Sequence, residues 1–311
     1  MRAVVFAYQE IGCVCLEELL RRGVSVAALI THADDPGEEI WFRSAAAIAR
    51  EHEIPVYETD EVKGPDWKTI VESYKPDAIF SFMFRRMIAM EILSCAKKGA
   101  FNLHPSYLPK YRGRCPANWA LVNGEPHTGV TLHEMARRAD AGAIVAQAKI
   151  PMAPDDDIAA LYKKMAAAAP ALLASVLPAI EAGNYPRTAQ DDSQATKFGV
   201  RRPDDGKFGW DWPAQKIHNL VRAVAHPYPG AFCDTGAGKL FVWKTANPRK
   251  LDGGAPGTII SLNPLAVAAG NGTALDLLRL QHEGEMELSA AGFVSGNRLD
   301  KNSKITDRRK S

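Results

Sequence analysis

The stretch Ala100-Phe101-Asn102-Leu103-His104-Pro105-Ser106-Tyr107-Leu108-Pro109-Lys110-Tyr111-Arg112-Gly113 decides how the rest of the chain is read. Ala100 to Leu103 is a short apolar run of the kind a buried strand shows, and two prolines stiffen the loop that leaves it. A parallel strand here puts Asn102 and His104 at its carboxyl end, two residues apart and so on one face, where open α/β sheets keep their ligand crevices. Downstream, Arg138-Ala139-Asp140-Ala141-Gly142 offers a carboxylate. An amide that donates two N–H bonds, an imidazole that shuttles a proton, and a carboxylate that orients the imidazole and favours its charged form suit acyl transfer without a covalent enzyme intermediate. By spacing alone the same residues serve equally well as turn-forming structural groups.

Working outward, Ala3 to Phe6, Val24 to Ile30 and Ala78 to Phe82 are further strand candidates, with Ile54-Pro55-Val56 a shorter one. Gly12 to Arg22, Ser44 to His52 and Asp66 to Tyr74 carry helix-like patterns, and the alternation predicts an α/β fold with a mostly parallel sheet. Gly129 to His133 and Ala143 to Ile150 flank the Asp140 loop as a hairpin or sheet extension. Asp155-Asp156-Asp157 heads an Ala-rich helix reaching about Ala182, which Pro170 and Pro178 should break or kink. After a polar connector from Asn184 to Thr196, short strands separated by Gly, Asn and Asp turns, with one helix from Ala214 to Ala225, predict a small β-barrel. The expected division is therefore 1–200, 201–300 and a loose polar tail over 301–311.

The chain has 311 residues, 46% of them apolar, so it can bury a sizeable core, and disorder is excluded for most of it. Its formal charge of +2 excludes a broad field that would draw it onto nucleic acid or anionic lipid, which leaves small molecules as the expected partners. The N-terminus lacks the apolar core of a signal peptide, and no apolar stretch reads as long enough to span a bilayer. Cys13, Cys15, Cys95, Cys115 and Cys233 are scattered and odd in number, as expected of reduced thiols in a cytoplasmic protein, and Cys13 and Cys15 find no further pair at metal-ligand spacing.

The stretch Phe101 to Gly113, continued by Arg114-Cys115-Pro116-Ala117-Asn118-Trp119 and Thr128-Gly129-Val130-Thr131-Leu132-His133 and closed by Asp140-Ala141-Gly142, resembles the signature of the 10-formyltetrahydrofolate-dependent formyltransferases. That resemblance implies a Rossmann-like formyltransferase domain followed by a small OB-like β-barrel domain. It implies that Asn102, His104 and Asp140 are catalytic. It also implies that Arg86, Met87, Ile88, Arg114, Ala136, Arg137, Arg138, Ala139 and Asp140 bind the 10-formyltetrahydrofolate cosubstrate. Val4 to Tyr8, Thr31 to Glu38, Leu121 to Glu125 and Val221 to Val224 extend the likeness toward members that formylate UDP-4-amino-4-deoxy-L-arabinose in lipid A modification and polymyxin resistance. Some members of that subgroup continue into an NAD-dependent decarboxylase. Tyr8, Gly12, Tyr111 and Arg201 are candidate contacts for the sugar nucleotide. The chain departs from the pattern at Pro105, Tyr107 and Cys115, where Gly, Leu and Ala are usual, which bears on the acceptor side of the loop.

Formylation of methionyl-tRNA is the alternative within the family, and it needs clustered cations for a polyanion. The loop after the second strand instead carries Asp34, Asp35, Glu38 and Glu39, and residues 204–297 hold eight Lys and Arg against nine Asp and Glu. Glycinamide ribonucleotide formylation fits a shorter chain without the second domain, and a non-catalytic folate- or nucleotide-binding regulator would have no need of the trio.

Overall fold

A computed structural model describes residues 1–37, 39–236 and 238–306. Glu38 and the end of the expected loose tail, 307–311, lie outside the described residues. The chain divides by its contacts into two units, and the division is not a single cut. The first holds Met1–Pro116, His127–Pro151 and Tyr162–Gly199, and the second holds Ala117–Pro126, Met152–Leu161 and Val200–Ser311.

In chain order the first part runs β1 (Arg2–Ala7), α1 (Gln9–Arg21), β2 (Ser25–Thr31), α2 (Ala45–Glu51), β3 (Val56–Glu58), α3 (Pro65–Ser73), β4 (Ala78–Phe82), α4 (Met90–Leu93), β5 (Gly99–His104) and β6 (Arg112–Gly113). It continues with α5 (Pro116–Val122), β7 (His127–Glu134), β8 (Ile144–Pro151), α6 (Ile158–Ala182) and β9 (Lys197–Phe198). The sheet order is β3-β2-β1-β4-β5-β7-β8. The first five strands are parallel, and the β7–β8 hairpin extends the sheet antiparallel beside β5. The strands are apolar on both faces because helices cover both sides of a parallel sheet. Phe80 stacks against Phe82 and Phe101 at 5.8 and 5.5 Å, and all three rings are fully buried. Each such ring contributes about 1.5–3 kcal/mol of burial free energy. These contacts fix β4 and β5, and with them the strand end that carries Asn102 and His104.

Helix α6 corrects two expectations. It runs unbroken through Pro170 and Pro178, which lie outside its buried stripe, while Met165, Ala169, Leu173 and Ile180 are fully buried. Packing of that stripe outweighs the hydrogen bond each proline removes. The unbroken helix is also long and apolar enough to cross a membrane, by length and composition alone, which the sequence reading missed by dividing it at the prolines.

The second unit continues with α7 (Ala214–Ala223), β10 (Ala231–Thr235), β11 (Gly238–Lys250), β12 (Ile259–Leu262), β13 (Leu265–Ala269), β14 (Thr273–His282), β15 (Leu288–Ser289) and α8 (Ala290–Asn297). Its sheet is antiparallel, in the order β10-β11-β14-β13-β12, with β15 on β14. Residues 301–306 are not loose: Asn302 and Ser303 exchange backbone bonds with Ile259, Ile305 donates to Gly257, and the Ile305 side chain is buried. One apolar residue in a polar stretch anchors that segment. α5 beyond Pro116, and Met152–Leu161, which includes the first turn of α6, belong to this unit. Asn118 donates to the Ala223 carbonyl at 2.8 Å, His218 Nε2 donates to the Pro154 carbonyl at 2.9 Å, and Arg222 reaches the Ala153 and Asp156 carbonyls.

Candidate active site

The register of β5 against β7 sets His133 opposite Asn102 and Thr131 opposite His104. The loop from β7 to β8 then folds back over the end of β5, closed by a bond from the Glu134 N–H to the Ala143 carbonyl at 2.9 Å. Gly142 permits this closure, because a Cβ there would run into the Glu134 carbonyl. Gly142→Ala is expected to cost about 1–3 kcal/mol, read as a lower melting temperature together with lost turnover.

Asp140 is the hub. Its Oδ1 lies 3.6 Å from His104 Nδ1, 3.5 Å from His133 Nε2 and 3.5 Å from Asn102 Nδ2. Its Oδ2 accepts the Gly113 N–H at 2.9 Å. Gly113 has φ +99 and packs so closely on the Phe198 carbonyl that no side chain fits. Burial pushes the Asp140 carboxyl up, but the His104 imidazole, which is charged at the low pH where a carboxylate takes up its proton, together with the adjacent His133 ring and the Gly113 N–H, outweighs it and holds the group well below the usual carboxylate range.

His104 is 5% exposed, and its Nε2 lies 2.8 Å from the Tyr111 carbonyl. A carbonyl only accepts, so Nε2 carries the proton and the lone pair of the neutral ring is on Nδ1, toward Asp140. Burial lowers the His104 pKa below its usual value, against the pull of Asp140 and the Tyr111 carbonyl. The resting imidazole is therefore neutral, not charged as the sequence suggested, because desolvation outweighs a carboxylate that stands beyond hydrogen-bond distance. The site thus presents a basic nitrogen beside a carboxylate that would stabilise its protonated form, with a half-buried amide donor next to both.

The same sign governs stability. His32, His104 and His218 are all buried, and burial lowers the pKa of each. The unfolded chain takes up these protons near pH 6.5 while the native chain resists. Stability is expected to be level above about pH 7 and to fall as pH drops through about 6, as thermal melts across that range would record.

An outer layer holds the Asp140 loop. Gln190 Nε2 donates to the Asp140 and Gly142 carbonyls at 2.8 and 2.7 Å, while its Oε1 accepts from Arg112 Nε and Nη2 at 3.0 and 2.7 Å. Arg112 is buried and also reaches Asp192, which bonds Arg138 as well. Sequence reasoning assigned no role to His133 or Gln190. The alternation Thr131-x-His133 beside Asn102-x-His104 was a usable signal for His133, whereas Gln190 stands in a connector with no pattern.

Of the other expected positions, Arg86 and Met87 are exposed on the loop after β4, and Arg114 Nη1 donates to the Arg85 carbonyl at 3.4 Å. Ile88 is buried in the cluster of Val4, Phe6 and Ile79, so its side chain is packed away from a ligand. Ala136, Arg137 and Arg138 line a hollow of about 510 Å³ with Ala141, Ala143 and Gln190, and Ala139 is exposed beside them. Tyr8 bonds Asp34 at 3.2 Å and lines a cavity of about 130 Å³ at the ends of β1 and β2. Gly12 and Tyr111 are corrections as side-chain contacts. Gly12 lets α1 close on Ala7 and the Phe82 carbonyl, and the Tyr111 ring is buried against Phe198 at 5.0 Å while its carbonyl orients His104. Arg201 lies in the second unit, with its guanidinium over Trp119 at 4.6 Å.

An amide, a basic imidazole and a half-buried carboxylate at the carboxyl edge of an α/β sheet suit acyl-group transfer. The chain belongs to the formyl transferase family: residues 1–177 match the model of the formyl transferase domain and residues 201–298 that of the formyl transferase C-terminal domain. It is similar in fold to the N-formyltransferase from Helicobacter canadensis, solved with folinic acid and dTDP-3-aminofucose. The two are 21% identical, with a TM-score of 0.69 over 89% of this chain and 98% of the other. WlaRD, a sugar 3N-formyl transferase solved with dTDP and 5-N-formyl-THF, is 18% identical, with a TM-score of 0.66 over 89% and 97%. HypX from Aquifex aeolicus, solved with tetrahydrofolic acid, is 20% identical, with a TM-score of 0.63 over 94% of this chain and 47% of that larger one.

Proposed function

We propose that this chain transfers the formyl group of 10-formyltetrahydrofolate to the amine of a nucleotide-linked amino sugar. The convergence of Asn102, His104 and Asp140 at the end of β5 carries that reading. The folate supplies an activated formyl carbon on N10. Asn102 donates to the oxygen on which negative charge develops as the amine attacks, and His104 Nδ1 takes the proton that the amine sheds and delivers it to N10 as the bond from the formyl carbon to N10 breaks. Asp140 stabilises the imidazolium so formed, and the bond from Nε2 to the Tyr111 carbonyl keeps the ring aimed. Met87, 61% exposed, with the exposed cations Arg86 and Arg114 nearby in sequence and space, offers an aromatic ring a platform and carboxylates a partner. The Ala136 to Asp140 loop supplies backbone to the same ligand.

For the acceptor we propose UDP-4-amino-4-deoxy-L-arabinose, on the sequence likeness, and with it a role in lipid A modification and polymyxin resistance in the cytoplasm, beside a decarboxylase as domain or partner. Exposed Asp34, Asp35 and Glu39 on the loop after β2 oppose a polyanionic acceptor such as tRNA. The test is a formyl-transfer assay with 10-formyltetrahydrofolate and, in parallel, UDP-4-amino-4-deoxy-L-arabinose, dTDP-linked 3-amino sugars and charged initiator tRNA. Turnover on the arabinose derivative that disappears in His104→Ala is expected. Turnover on a dTDP sugar alone keeps the reaction and changes the acceptor, and turnover on tRNA alone overturns the charge reading.

A further inference from the structure

We infer that His133 is a positioning residue that holds the Asn102 amide in its working orientation, an inference that rests on the formyl-transfer reading. His133 is 1% exposed on β7, opposite Asn102 in register. Its Nδ1 lies 2.7 Å from the Glu134 carbonyl, so Nδ1 carries the proton of the neutral ring and the lone pair is on Nε2. That lone pair faces Asn102 Nδ2 at 3.2 Å. Nδ2 is therefore the donor, and the Asn102 amide cannot turn its oxygen to His133 without setting two acceptors against each other.

The consequence concerns the second N–H of Asn102. One N–H is committed to His133. Among the described residues the other meets Asp140 Oδ1, at 3.5 Å, the outer limit of a hydrogen bond. That weakly engaged N–H is the one available to an oxygen gaining negative charge, and His133 keeps it from being spent inward. Without an acceptor at the Nε2 position the amide is free to rotate, to give both N–H groups to Asp140 or to present its oxygen to the substrate. An amide oxygen facing an oxygen anion repels what it should bind. His133 meets no substrate atom in this scheme and acts only through Asn102.

The substitutions that separate this role from simple packing use the two ends of the ring. A Gln amide oxygen reaches the place of Nε2 and can accept from Asn102, whereas the shorter Asn reaches only the place of Nδ1. Turnover on the amino-sugar acceptor is measured for wild type, His133→Leu, His133→Asn and His133→Gln, with melting temperatures for each. Leu and Asn are expected to lower kcat by about ten- to a hundredfold with KM for both substrates nearly unchanged, the scale on which a misplaced donor acts. Gln is expected to recover most of the rate. Should Leu fail to fold, the contrast between Asn and Gln decides. Equal rates for Asn and Gln, or a loss carried by KM, overturn the inference. Absence of formyl transfer in the wild-type protein with every acceptor overturns instead the functional reading on which it stands.

Discussion

Replacing Asp140 by Asn is expected to lower kcat by about a hundredfold or more while leaving the fold and both KM values close to unchanged. Asn tolerates the left-handed backbone that Asp140 adopts at φ 54, and its side-chain oxygen can still accept the Gly113 N–H. What disappears is the charge 3.6 Å from His104 Nδ1, and with it the stabilisation of the imidazolium formed during transfer. A second signature separates this from a loosened loop. Burial already depresses the His104 pKa and Asp140 opposes that depression, so removing its charge lowers the pKa further. Activity requires the neutral ring and is lost as pH falls through that pKa. The acid limb of the rate profile should therefore move to lower pH in the variant, on a lower plateau. Unchanged turnover would remove Asp140 from the mechanism.

Gln190→Ala is expected to be among the most destabilising single changes near the site, at about 2–4 kcal/mol, a fall in melting temperature on the order of 5–10 °C. It strips the buried Arg112 guanidinium of an acceptor shared by two of its nitrogens, leaving Asp192 as its remaining carboxylate partner. It also leaves the Asp140 and Gly142 carbonyls without their donor. Gln190→Glu distinguishes these halves. A carboxylate still accepts from Arg112 but cannot donate to the loop, so the melting temperature should largely hold while turnover falls. Equal loss of stability in both variants would place the cost in the loop carbonyls and not in the buried cation.

The parallel part of the fold was legible because buried strands leave unbroken apolar runs. The strand predicted over Ala78 to Phe82 is β4 itself, and Ser44 and His52, predicted as helix ends, are the caps of α2. The third strand was read two residues early, since Pro55 donates no hydrogen bond and pairing begins only at Val56. α5 and α8 went unread: the first is seven residues beginning at a proline, and the second carries two glycines and little amphipathic pattern. In the site, residue types and spacing offered Asn102, His104 and Asp140 as candidates, and the family resemblance singled them out. They did not give the charge state of His104, because burial sets it and burial is a property of the fold. Nor did they give Gln190, which meets Asp140 across fifty positions of sequence.

The interleaved division of the chain limits how this enzyme can be taken apart. A cut near residue 200 leaves Ala117–Pro126 and Met152–Leu161 attached to the half that does not own them. Ala117, Ala120, Leu121, Ile158 and Leu161, all buried in the intact protein, would then face water, and Asn118 would lose the Ala223 carbonyl. A fragment ending there carries sticky, unsatisfied segments and invites aggregation, whatever the integrity of its sheet. The two halves therefore do not behave as interchangeable cassettes. A chimera that grafts a new second half onto this catalytic sheet must bring its own versions of both segments, so the exchangeable piece is three segments joined at five splices, not one.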